Sequence, residues 1–152
     1  MSNTETIFES CPICGGVIHP TTSVREMHFG KRIVNVEGTY PQCESCGEAF
    51  LTPEESDDLL RTAARIVREE DGLLMPEEIK RIREHLCLTQ AQLEEILRVG
   101  KKTVVRWENG TVFQSAAVDT LLRLIDDVPQ ASAHLFALHG LAQQAKPDLA
   151  TT

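Results

Sequence analysis

The apolar positions of this chain change period near residue 52. Before it, stretches such as Arg32-Ile33-Val34-Asn35-Val36-Glu37 alternate apolar with polar, the two-residue repeat of a half-buried strand. A short antiparallel sheet is predicted within Val17–Tyr40. Beyond it, apolar residues recur at helical spacing. The series are Leu59, Leu60, Ala63, Ile66 and Val67; Ile79, Ile82, Leu86 and Leu88; Leu93, Ile96 and Leu97; Val104 and Trp107; and Leu121, Leu122, Leu124 and Ile125. Thr52-Pro53-Glu54-Glu55 starts the first helix with a capping hydroxyl, proline at the first helical position and Glu three residues after the cap. Asp71-Gly72 ends it. Met75-Pro76-Glu77-Glu78 starts a helix of about residues 77–85, and Thr89 with Gln92 caps another. Gly100 marks a tight turn before a third, Lys101–Glu108, which Asn109-Gly110 terminates.

The cysteines assign chemistry to the strand-like half. Cys11-Pro-Ile-Cys14-Gly-Gly and Cys43-Glu-Ser-Cys46-Gly are two knuckles, each aiming two thiolates at one point. Together they form a closed tetrahedral site for a structural Zn2+, held by Cys11, Cys14, Cys43 and Cys46. The roughly 50 residues around them carry too few apolar side chains to fold unaided, so the metal is expected to supply folding energy. A redox Cys-x-x-Cys would need one pair beside a βαβ pattern, which the sequence lacks. His19 and His28 read as surface or sheet residues, because four thiolates already fill the site. Cys87, among apolar helix positions, reads as a small buried residue.

The fold expected is α+β. A small N-terminal zinc-bound β module (1–51) is joined by a linker helix (52–74) to an all-α helix-turn-helix domain (75–130), followed by a C-terminal extension (131–152). In that extension Leu135, Phe136, Leu138 and Leu141 suggest a helix packing on the core or on a second subunit, and the tail from Ala145 reads as loose.

A formal charge of −8 argues at first against nucleic acid. The charge is unevenly placed, however. Residues 1–53 carry 3 basic and 6 acidic groups and residues 54–74 carry 3 and 7, whereas residues 98–106 hold Arg98, Lys101, Lys102 and Arg106 and no acid. Three short helices with a basic third one match the geometry that enters a DNA major groove. Lys101, Lys102 and Arg106 are the expected base and backbone contacts, with Gln90 and Thr103 reaching phosphates. A dimer is expected, since one such unit reads only a short half-site. No cationic start followed by an apolar run opens the chain, and no apolar stretch nears the ~20 residues that span a bilayer. A cytoplasmic location is expected, and the closed metal site gives no sign of an enzyme.

Leu88-Thr89-Gln90-Ala91-Gln92-Leu93 with Thr103-Val104-Val105-Arg106-Trp107-Glu108-Asn109-Gly110 resembles the XRE/Cro-type helix-turn-helix of repressors. With the two cysteine knuckles, the linker helix, Gln114-Ser115 and Leu121-Leu122-Arg123-Leu124, the chain from about residue 11 to residue 130 is similar to the MqsA-type antitoxins with their YgiT-type zinc finger. That resemblance implies a type II toxin–antitoxin system. Its members neutralise a cognate toxin, commonly an mRNA-cleaving ribonuclease, through the zinc-bearing part. They dimerise through the C-terminal domain and repress their own operon at a palindrome. It assigns Cys11, Cys14, Cys43 and Cys46 to the metal, and Lys102 and Arg106 to the recognition pair. Lys102 stands where better-known members often carry Asn, which favours guanine or phosphate over adenine. A cationic toxin would also account for the acidity of residues 1–74. The competing reading is a stand-alone transcriptional regulator whose zinc module is purely structural.

Overall fold

The computed structural model describes residues 8–141. The elements in order are β1 (Ile18–Phe29), β2 (Arg32–Cys43), α1 (Pro53–Asp71), α2 (Pro76–His85), α3 (Gln90–Leu97), α4 (Thr103–Asn109), α5 (Ala116–Asp127) and α6 (Pro129–Leu138). The chain is α+β, with a two-stranded sheet followed by six helices among the described residues. It divides into two compact units between Ala63 and Ala64, inside α1. The tail from Ala145 lies outside the described residues.

In the first unit β1 and β2 pair antiparallel in unbroken register, from Phe29 opposite Arg32 at the turn to Ile18 opposite Cys43 at the open end. The strands are longer than alternation alone predicts. Pro20 and Pro41, which would break a central strand, face each other in a sheet where each strand has an outer edge, so their missing N–H groups are tolerated. Val34 and Val36 point to the buried face, where Arg25 lies 5.3 Å from the centre of the Tyr40 ring. Val24 and Ile33 lie on the exposed face.

α1 starts as its sequence dictates. The Glu55 N–H donates to Thr52 Oγ1 at 3.1 Å and the Thr52 N–H to Glu55 Oε2 at 2.8 Å, satisfying two donors that a helix start leaves unpaired. The same reciprocal pair opens α3, with Gln92 N–H to Thr89 Oγ1 at 3.1 Å and Thr89 N–H to Gln92 Oε1 at 2.9 Å. Ile79, Ile82, Leu93, Ile96, Leu97, Val104, Trp107, Leu122, Ile125 and Phe136 form one buried cluster in the second unit, as their spacing predicts. Leu135 and Leu141 pack against it.

Four details differ from the sequence reading. Cys87 is exposed, with φ +56°. The chain leaves α2 through a left-handed residue, with Leu88 N–H donating back to Arg83 O at 3.1 Å, and this turn points the thiol at solvent. The third helix begins at Thr103, because Lys102 at φ +63° cannot belong to a right-handed helix. Leu124 falls off the Val118–Leu121–Leu122–Ile125 stripe and is 48% exposed. Leu138 is 65% exposed. Among the described residues no helix is long and apolar enough to cross a membrane.

Candidate metal centre and nucleic-acid interface

The two knuckles fold by one hydrogen-bond scheme. In the first, Gly15 N–H donates to Cys11 O at 2.8 Å and Cys11 N–H to Gly16 O at 2.9 Å. In the second, Gly47 N–H donates to Cys43 O at 3.0 Å and Cys43 N–H to Glu48 O at 2.9 Å. Gly15 and Gly47 both sit at φ +74°, which is why glycine follows the second cysteine of each pair. At Gly16 a side chain would meet Cys43 Sγ, 2.8 Å from an ideal Cβ. The knuckles therefore need glycine both to turn and to let the second knuckle approach.

Register completes the site. β1 and β2 lead from one knuckle to the other, with Ile18 opposite Cys43, and the sulfurs of Cys11, Cys14, Cys43 and Cys46 all lie within 4.8 Å of one another. Cys11 Sγ is 3.7 Å from Cys46 Sγ and Cys14 Sγ is 3.4 Å from Cys43 Sγ. Four thiolates about 2.3 Å from a Zn2+ ion would stand roughly 3.8 Å apart at tetrahedral angles, so the donor set fits a metal of that kind. The N–H of Cys46, aided by that of Ser45 and opposed by burial, brings the Cys43 thiol down to about 6. At Cys46 the Glu48 N–H favours the thiolate, but burial and the neighbouring sulfurs outweigh it and push the thiol up to about 12. Four sulfurs this close resist ionising together unless a cation shares their charge. Neither histidine joins them: His19 meets Glu44 at 2.5 Å and His28 lies 3.9 Å from Glu26.

In the second unit α4 buries Val104 and Trp107, while Lys101, Lys102, Val105 and Arg106 are exposed on or just before it, with Thr103 partly so. Arg98 is also exposed. Gln90 opens α3, and its amide nitrogen donates to Glu108 Oε2 at 2.8 Å. The same carboxylate takes Arg83 through Nε at 2.5 Å and Nη2 at 3.2 Å, while Arg83 Nη1 donates to Leu88 O at 3.0 Å. α2, α3 and α4 are thereby tied together through the Glu108 carboxylate.

Two residues that sequence reasoning passed over hold α4. Its N-cap, Lys102, makes no side-chain cap; Glu94 of α3, only 8% exposed, takes the Val104 N–H at 3.1 Å instead. Arg68 of α1 is buried beside the other end. The available signal was a charge inside an apolar stripe, at Leu93-Glu94 and at Val67-Arg68.

The family model described as the antitoxin component of a bacterial toxin–antitoxin system, MqsA, matches residues 9–135. A curated relative, "Antitoxin MqsA" of Escherichia coli (strain K12), is 27% identical over 125 residues, covering 79% of this chain and 94% of its own length.

Proposed function

Since the chain belongs to the MqsA antitoxin family, whose model spans both the cysteine cluster and the helical unit, we propose that it neutralises a cognate ribonuclease toxin and, as a homodimer, represses its own operon at a palindrome. The observation that carries the DNA half is α4, which buries Val104 and Trp107 and leaves Lys101, Lys102 and Arg106 exposed in one short segment. Arg106 offers a bidentate fork to guanine O6 and N7, and Lys102 a point charge to guanine or phosphate. Lys101, Thr103 and the second N–H of the Gln90 amide serve the backbone. Exposed Leu124 and Leu138 supply apolar surface for a second copy.

The four thiolates bind Zn2+ in a closed structural site, and the metal supplies folding energy and no reaction chemistry. The acidity of residues 1–74 steers a cationic toxin, so association slows as salt rises.

Gel shifts on the DNA upstream of this protein's own gene test the repressor half. Arg106→Ala is expected to weaken specific binding by about 1–3 kcal/mol; unchanged binding by that variant removes Arg106 from the contact set. Co-expression with a small basic protein from the neighbouring gene tests the other half, with rescued growth as the expected result. Growth arrest that persists favours the stand-alone regulator.

A further inference from the structure

α4 has seven residues, well short of the ~12–15 at which an isolated helix becomes even marginal in water. Its geometry must be imposed by its neighbours. At its start the buried Glu94 carboxylate accepts from Val104 N–H. At its far end the guanidinium of Arg68, 1% exposed, places Nη2 3.3 Å from Trp107 O, 2.8 Å from Val112 O and 3.5 Å from Gln114 Oε1. An acid at the N-terminal end and a cation at the C-terminal end both complement the helix dipole.

Arg68 is an expensive way to do this. Among the described residues no carboxylate is hydrogen-bonded to it and its Nε has no partner, and burial, with Glu77 opposing, lowers the guanidinium to about 10. A buried charge with no carboxylate bonded to it is costly unless its hydrogen bonds hold something in place. What it holds is specific: the last turn of α4 and the segment leaving it. Gln114 extends the hold, donating from Nε2 to Leu74 O at 3.0 Å and to Asp119 Oδ1 at 2.9 Å, while Asp119 also accepts Leu74 N–H at 2.7 Å.

We infer that Arg68 is a positioning residue for DNA reading: from α1, outside the helix-turn-helix, it fixes the angle at which α4 presents Arg106 and the lysines. This rests on the DNA-binding reading above. It also moves the N-terminal limit of the DNA-reading unit back into α1.

The test uses the full-length protein and its one tryptophan, Trp107, whose own carbonyl faces Arg68. Arg68→Met is expected to unfold cooperatively like wild type, to lose about tenfold or more in operator affinity, the scale of one lost charged hydrogen bond, and to show red-shifted, more quenchable Trp107 emission. Arg68→Lys, which keeps a donor and a charge, is expected to restore part of both. If folded Arg68→Met binds the operator within twofold of wild type, or loses affinity with Trp107 emission unchanged, the positioning role is wrong. Should Arg68→Met fail to fold, the same two readings on Arg68→Gln, which keeps a donor but not the charge or the fork, decide, with wild-type values overturning the role. Wild-type protein that binds no upstream DNA would sink the DNA reading itself. The emission of Arg68→Met would then still show whether Arg68 holds α4.

Discussion

Cys87, Arg98 and Lys102 are the three residues other than glycine with a left-handed backbone among those described, and all three sit at the ends of α2, α3 and α4. Each costs about 1–2 kcal/mol relative to a right-handed conformation, so each is a local conflict that the surrounding helices impose. The three differ in what the side chain offers. The Cys87 thiol is exposed and joins neither the metal cluster nor the core. Cys87→Gly is therefore expected to raise stability by about 0.5–1 kcal/mol, once the extra chain entropy of glycine is subtracted, and to leave DNA binding unchanged. Lys102→Gly relieves the same strain but removes a proposed contact, so its urea midpoint should rise while its operator affinity falls. Parallel urea melts and gel shifts separate the two; a loss of stability in both variants would show that neither turn is strained. Nothing in the residue types Cys, Arg or Lys announces a positive φ, which is why Cys87 reads in sequence as a core residue. The sign of φ there is set by the geometry of the α2–α3 turn.

Elements were legible where local chemistry decides them. The Thr52 and Thr89 caps, the inward stripes of α2 and α3, the Val104–Trp107 pair and the two knuckles each depend on residues within a few positions of one another. Side chains that act between elements were not legible, and Glu94 is the clearest case. By periodicity it sits beside Leu93 on a helix with a wet face, yet the structure buries it to cap a different helix. A cap of this kind depends on where α4 lies in space, and no spacing within α3 carries that information. Glu94→Ala leaves the Val104 N–H buried without an acceptor and is expected to cost about 1–3 kcal/mol. Glu94→Gln keeps an acceptor and should cost less than half as much. Chemical denaturation of both variants checks the order; equal losses would mean that the charge at the α4 start matters more than the bond.

At the scale of the whole molecule two kinds of stability are joined in one chain. The second unit buries a continuous cluster from Leu74 to Phe136, an apolar core of its own. Among the described residues of the first unit the buried hydrophobics are few: Cys11, Val34, Val36, Cys43, Leu59 and Ala63, two of them proposed metal ligands. At about 1.5–3 kcal/mol for each large apolar side chain, such a set falls short of the ordering cost of a 12-residue hairpin pair and two knuckles. The affinity of the proposed metal site would make up the difference. Removing the proposed zinc with a specific chelator is accordingly expected to unfold the hairpin and knuckles while the helical unit persists. Trp107 lies wholly in that second unit, 4% exposed, so its emission should not move as the chelator is added. The hairpin amides should meanwhile lose their protection from hydrogen exchange. A simultaneous change in Trp107 emission and hairpin protection would mean that the two units fold as one, and that the break at Ala63–Ala64 inside α1 is not a boundary of stability.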